Sequence, residues 1–417
     1  MLRPSHGGSR VKSRIRRFLL PVACGAIAAG IFASVASVAD ATDGEAIQLG
    51  ERPFDLVDGM DDGPLKSRLQ QCRGGPFRRT DFSIAHRGAP LKFPEHTREA
   101  YEAGARMGAG IVECDVTFTN DGVLVCRHDE CDLATTTNIV ATGLNKSCSV
   151  PYAGKGSSPR CCASDLTLTQ FRTLKGKLES ADPEAANARD SLMTLAESIE
   201  LNQTLGVKHT PELKAGDPER IKRVFGSQAA YAQKMIDAYK QAGVHPSAVY
   251  PQSFNLDDIR YWIKNEPVFG NQAVYLDDVD PTANSPRLSP EELKQLRAEG
   301  LRILAPPIPA LLEVNDSGRI VPSQYARDIR AASLDIITWT FERSDLRGGA
   351  ATAGWYWSFD PQGRVVKKES DMYLALDVLA REVGIRGIFS DWPATVTYYA
   401  NCMGADLERI SPMDTTP

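Results

Sequence analysis

From residue 82 onward, short apolar runs recur eight times between helical segments, and few architectures accept that rhythm. The runs fall at 82–85, 111–116, 206–213, 248–254, 273–276, 301–304, 335–340 and 387–389. Between them, helical patterns occupy 97–107, 218–242, 256–264, 290–299, 323–331 and 371–383. Several open with a cap or an early proline, as in Ser289-Pro290-Glu291-Glu292, the usual signature of a helix start. Eight strands alternating with helices predict a (β/α)8 TIM barrel, an α/β fold with one parallel closed sheet.

One stretch of that pattern carries an unusual density of chemistry. Residues 84–129 hold I-A-H-R-G-A-P, P-E-H-T and I-V-E-C-D-V-T-F-T-N-D-G-V-L-V-C-R-H-D. Asn120-Asp121-Gly122 between two β-rich runs is a hairpin signal. If Asp121 and Gly122 are the two turn residues, Asn120 pairs with Val123 and His128 lies opposite Asp115. Period-2 alternation then puts His128 on the face of Glu113 and Asp115. A two-residue turn cannot make the crossover a parallel barrel strand requires, so the returning arm at 123–126 is expected as an extra strand at the barrel mouth.

The ends carry different information. Six basic residues between Arg3 and Arg17 precede an uncharged, alanine-rich run at 18–38, and Ser37-Val38-Ala39 and Ala39-Asp40-Ala41 both fit a small-x-small cleavage site. That pattern predicts a signal peptide over 1–39 and an exported protein, periplasmic or secreted. The rival reading is a retained anchor, since 21 residues can span a bilayer; after cleavage no stable membrane insertion is expected. Residues 40–80 are read as a polar extension with little core, 81–400 as the barrel, and 401–417 as a tail. A net charge of −5 gives no reason to expect nucleic acid.

Removing the signal takes Cys24 with it and leaves Cys72, Cys114, Cys126, Cys131, Cys148, Cys161, Cys162 and Cys402. An even number in an exported chain predicts disulfides. In the register above, Cys114 and Cys126 point to opposite faces and do not pair. Cys72 with Cys402 is a candidate tie between the two ends, and the four clustered cysteines are left without an assigned connectivity. They fall in a Gly/Ser/Thr/Asn-rich segment at about 131–190, read as a small disulfide-held subdomain inserted after the second strand's hairpin. Sixty structureless residues inside a compact domain are uncommon.

In a barrel, the carboxyl ends of the strands converge on one mouth. His86 and Arg87 end strand one, Glu113 and Asp115 lie on strand two, His128 returns on the hairpin, and strand three runs into Glu212 and Lys214. Three carboxylates at one site repel each other unless a cation is present. All-oxygen ligation points to a divalent cation, Ca2+ or Mg2+, rather than zinc. Arg87 and Lys214 are then partners for an anionic group such as phosphate, and two histidines beside it suit acid and base work. Phe254 and Trp339 end strands and are candidates for the pocket lining.

The segments H-R-G, P-E-H-T, E-C-D-V, D-G, R-H-D, E-L-K and F-S-D-W-P, in this order over about 81–400, resemble the glycerophosphodiester phosphodiesterase family. The resemblance implies a TIM barrel, Glu113, Asp115 and Glu212 as metal ligands, and His86 and His128 as the acid/base pair. It also implies Arg87 and Lys214 as phosphate contacts. It departs at His96, where the family more often has asparagine and a loop-structuring role is expected here. Asp391 is read as a loop-fixing or helix-start residue and His245 as a surface residue. The implied activity is metal-dependent hydrolysis of a small glycerophosphodiester, such as glycerophosphocholine or glycerophosphoethanolamine, to sn-glycerol 3-phosphate and an alcohol. The same chemistry on lysophospholipids, or a non-catalytic surface binding protein on the same barrel, are the alternatives. Which histidine is acid, and whether water or the substrate's 2-hydroxyl attacks, stay open.

Overall fold

A computed structural model describes residues 46–180, 184, 189–283 and 285–404. The expected signal peptide at 1–39 lies outside these residues, as does most of the tail at 401–417. All eight runs expected as strands form one: β1 (Thr80–Ala85), β2 (Ala109–Phe118), β4 (Lys208–Leu213), β5 (Gln252–Ser253), β6 (Val274–Leu276), β7 (Ile303–Ala305), β8 (Asp335–Phe341) and β9 (Gly387–Ser390). β3 (Leu124–Cys126) is the hairpin arm. The eight pair in parallel around the ring, and β1 pairs with both β9 and β2, so the sheet closes into a barrel. Closure leaves no free edge. Inside, Ile84, Ile111, Val274, Ile303, Ile337 and Phe389 form the filling, while a larger apolar layer lies between strands and helices.

The helices depart from expectation in informative places. The segment expected as one helix over 218–242 is two, Pro218–Phe225 and Gln228–Gln241. Gly226, at φ +87°, ends the first, and the Ser227 side chain caps the second by accepting from Ala230 N. The helix Leu195–Leu205 precedes β4, with a reciprocal Thr194–Glu197 cap of the kind that starts helices. The helix Pro393–Met403 closes the fold after β9. Neither was picked out by the apolar pattern.

Residues 52–71, read as part of an extension with little core, need correction. They form helices Arg52–Gly59 and Pro64–Gln71, and Leu56, Val57, Met60 and Leu69 are buried in the main core. The Phe54 ring lies 5.1 Å from that of Tyr398, and Tyr398 Oη donates to Leu69 O. Polar composition hid a narrow apolar stripe: short helices need only two or three buried side chains to dock.

The hairpin register also differs. Val116 faces Cys126, Thr117 faces Val125 and Phe118 faces Leu124. Thr119 N donates to Val123 O at 2.9 Å, so the turn is three residues long, ending on Gly122 at φ +75°, a conformation suited to glycine. Asp121 sets this wider turn by accepting from Thr119 Oγ1 at 2.6 Å and from Leu168 N at 3.0 Å. The one-residue slip puts Cys114 and Cys126 on the same face, 5.2 Å apart at Cα and disulfide-bonded. The expectation that they would not pair is therefore overturned.

The other bonds are Cys72–Cys402, Cys131–Cys162 and Cys148–Cys161. The last two lie in the segment after the hairpin, where Leu133, Ile139, Leu166, Phe171 and Leu174 surround a small core of their own. Cys72–Cys402 closes a loop of 330 residues. Loop-closure entropy grows with loop length. Replacing both cysteines with serine is expected to lower unfolding free energy by about 2–5 kcal/mol, read from the denaturant midpoint under oxidising conditions. Unchanged midpoints would assign the staple no thermodynamic role.

Candidate active site

The carboxyl ends of the strands bring the candidate residues to one cavity. It is lined by His86, Arg87, Glu113, Asp115, His128, Glu212, Lys214, Phe254 and Trp339, together with Leu276, Thr340, Tyr356 and Phe389. Register explains the carboxylate cluster. Asp115 on β2 is the lateral neighbour of Glu212 on β4, and Glu113 sits two residues earlier on the same face. One oxygen from each of the three lies within 4.8 Å of the others, and all three side chains are buried.

Each carboxylate is held from a different side. Glu113 accepts from Gln252 Nε2 at 2.9 Å and from Arg87 N at 3.0 Å. Asp115 Oδ2 faces His96 Nε2 at 2.8 Å and Arg87 Nε at 3.5 Å. Glu212 pairs with Lys214 Nζ at 2.6 Å. Burial, with Asp115 and Glu212 close by, drives the Glu113 carboxyl far above the ordinary range. Burial also raises Glu212, against the pull of Lys214. Asp115 goes the other way: burial opposes its charge, but Lys214, His96 and Arg87 hold it ionised. Asp115 Oδ1 is buried with no hydrogen-bond partner. Three clustered oxygens, mutual repulsion and an unpartnered acceptor fit a hard divalent cation.

His86 stands at the end of β1 beside the end of β9, where Ala85 is the neighbour of Ser390. Its Nδ1 lies 2.5 Å from Asp391 Oδ1, and its Nε2 is 3.9 Å from Glu113 Oε2. Burial and the nearby Arg87 push His86 down to about 4 despite Asp391. The ring is therefore neutral, and a Nδ1–H bond to Asp391 leaves the Nε2 lone pair for the cavity. Asp391 also pairs with Arg343 at 3.2 Å. His128 is pushed to about 2 by burial and by the cations Arg87 and Lys214. In the observed register Arg127, not His128, faces Asp115: Arg127 N donates to Asp115 O at 2.8 Å. His128 reaches the cavity because the chain bends out of the ladder after Arg127.

The loop after β1 accounts for the motif spellings. Arg87 and His96 both hold left-handed φ angles, 53° and 55°, a strain that surrounding contacts must sustain. At Gly88, φ +97°, an added Cβ would come within 2.6 Å of the Ala100 carbonyl carbon; only glycine lets this loop press against the helix Arg98–Arg106. Thr97 caps that helix, accepting from Ala100 N. Glu95 takes the Arg87 guanidinium at 2.8 Å and Arg127 at 3.0 Å. Burial opposes its charge, but Arg87 and Arg127 hold Glu95 well below the usual carboxylate range. Arg127, itself fully buried, continues to Asp132 at 3.3 Å.

Residue reasoning from the chain placed His86, Arg87, Glu113, Asp115, His128, Glu212, Lys214, Phe254 and Trp339 in one mouth, and they line one cavity. It missed Glu95, Gln252 and Tyr356, and it gave Asp391 only a loop-fixing role. Strand-end position is the available signal for Gln252, two residues before Phe254, whereas Glu95 lies in the loop after β1, inside the P-E-H-T segment. His245 is exposed. Removing Glu95 with alanine leaves two buried guanidinium groups short of a partner. The expected cost is about 3–5 kcal/mol, measured by chemical denaturation. A change below 1 kcal/mol, the range typical of exposed pairs, would mean that the network does not hold the loop.

Comparison with known proteins identifies the family. Residues 86–395 match the model of the glycerophosphoryl diester phosphodiesterase family. A relative from Arthroderma benhamiae described as an extracellular protein is 39% identical over 220 residues, covering 52% of this chain and 88% of that one. A glycerophosphodiester phosphodiesterase of Arabidopsis thaliana is 24% identical over 347 residues, 80% of this chain but 42% of its own length. A crystal structure from Silicibacter pomeroyi assigned to the same family superposes with a TM-score of 0.56 at 20% identity, over 82% of this chain and 99% of that one.

Proposed function

Because the chain belongs to the glycerophosphoryl diester phosphodiesterase family, whose members are phosphoric diester hydrolases, we propose that it hydrolyses a small glycerophosphodiester to sn-glycerol 3-phosphate and an alcohol. The observation that carries this reading is the single cavity in which three buried carboxylates, two cations and two histidines meet. Glu113, Asp115 and Glu212 would hold a divalent cation, Ca2+ or Mg2+. When bound, that cation supplies Lewis-acid polarisation of a phosphoryl oxygen and offsets the carboxylates' charge.

The chain's own residues do the rest. Arg87 and Lys214 bind the phosphoryl oxygens and balance the charge that builds on them. His86, oriented by Asp391, takes the proton from the nucleophile at Nε2, whether that nucleophile is water or the substrate's 2-hydroxyl. His128, on the hairpin, is held neutral by burial and by Arg87 and Lys214; once a bound phosphoryl anion offsets those two cations it takes up a proton, and it gives that proton to the departing alkoxide as the alkoxide's bond to phosphorus breaks. Glu95 and His96 position Arg87 and Asp115 without touching the reacting atoms. Four disulfides among the described residues support an exported protein, periplasmic or secreted, since such bonds persist in oxidising compartments.

Two experiments test this reading. Hydrolysis of glycerophosphocholine is expected to disappear with a chelator and return with Ca2+ or Mg2+. Glu212→Gln should weaken cation binding, read by calorimetry, by about 10-fold or more. Full activity in chelator would refute the metal-dependent reading. The histidine roles separate with leaving groups. Losing a general acid costs about 100- to 10,000-fold on an alkyl diester but little on a p-nitrophenyl diester, whose phenolate needs no proton. His128→Ala should show that rescue and His86→Ala should not; the opposite pattern would reverse the assignment.

A further inference from the structure

Beside the ionic floor, the same cavity has an aromatic wall that hydrolysis does not use. Trp339 lies on β8 with its indole fixed by a 2.8 Å bond from Nε1 to Ala305 O. Two rings stand nearly perpendicular to it: Phe254 at 84° with centroids 5.8 Å apart, and Tyr356 at 79° and 6.3 Å. All three line the cavity. Trp355 stacks on Trp339 at 5.7 Å and 28° and meets Tyr356 edge-on at 5.1 Å. This is a planar ring with two upright neighbours, one of which, Phe254, is 39% exposed.

Charge is distributed to match. Trp355 Nε1 donates to Asp280 Oδ1 at 2.7 Å, and bonds from Thr282 and from that indole hold Asp280 down to about 2. A permanent negative charge therefore sits behind the aromatic wall, while Arg87 and Lys214 sit on the floor. The two poles are adjacent, because Lys214 Nζ is 5.9 Å from the Phe254 centroid. The wall is also preorganised. Residues 344–371, which carry Trp355 and Tyr356, are pinned by the buried Asp360, which accepts from the backbone of Arg364, Val365 and Val366 at 2.8–2.9 Å. A phosphate held by Lys214 places a leaving group attached through two carbons within reach of the rings.

The geometry points to an ammonium subsite: Phe254, Trp339 and Tyr356, backed by Trp355 and Asp280, take the quaternary ammonium of a choline-type leaving group. The inference rests on the diesterase reading above and adds the head group to it. Aromatic faces attract such cations through the ring quadrupole, most strongly where water is excluded.

The test compares glycerophosphocholine with its neutral isostere, in which tert-butyl replaces trimethylammonium, and with glycerophosphoglycerol. The wild-type protein should favour the choline diester over the isostere by about tenfold or more in kcat/KM. Phe254→Leu and Tyr356→Leu should each bring that ratio toward one. The ratio is internal to each variant, so a smaller folded fraction cancels. Equal rates on both diesters in the wild type would overturn the subsite while leaving the hydrolase intact. Turnover of no diester at all would instead overturn the hydrolase reading. The subsite is then read by saturable quenching of tryptophan fluorescence by choline, with the neutral alcohol as control. Quenching would support it, and no quenching would overturn it.

Discussion

Three carboxylates on neighbouring strands cannot all stay ionised in a buried mouth unless positive charge meets them, and much of the surrounding structure answers that constraint. Arg87, Lys214 and His96 approach Asp115 and Glu212, and Gln252 and the Arg87 amide bond Glu113. The compensation continues outward with alternating sign. Asp115 meets Arg87, Arg87 meets Glu95, Glu95 meets Arg127, and Arg127 meets Asp132. A buried ion pair is strongly unfavourable to break from one side. Such a chain therefore holds each member in place even where the backbone is strained, as at Arg87 and His96.

The last link of that chain joins the mouth to the disulfide-held segment after the hairpin. Asp132 follows Cys131, which is bonded to Cys162. Glu130, one residue earlier, accepts from Asp217 N at 2.7 Å and pairs with Arg220 on the helix after β4. Cys114 lies between Glu113 and Asp115, and its partner Cys126 lies two residues before His128. Covalent bonds and buried charges thus restrain the same few residues. The proposed cation site and proton donor lie on separate strands, and restraint of this kind suits them, because a misplacement of about an ångström costs catalysis heavily.

Much of this was legible in the chain. Strand-period runs and helix caps are local signals, so the eight barrel strands could be read before any contact was known. The carboxyl-end rule then gathered His86, Glu113, Asp115, Glu212 and Lys214 from three distant segments. Legibility failed where a local choice depended on a distant partner. Asp121 favours the three-residue turn partly by bonding Leu168, 47 residues away, so the hairpin register and the Cys114–Cys126 pairing were misread. Asp391 reads locally as a loop-fixing or helix-start residue because its partner, His86, lies 305 residues earlier.

The amino-acid order by itself determined the barrel, the mouth and the ionic floor, because each follows from periodicity and from residues at strand ends. Tertiary structure alone decided the register of the hairpin, the orientation of His86 by Asp391, and the aromatic box that unites Phe254, Trp339 and Tyr356. Those features depend on angles and distances between segments far apart in the chain. No local preference encodes them, and only packing of the closed barrel brings their partners within range.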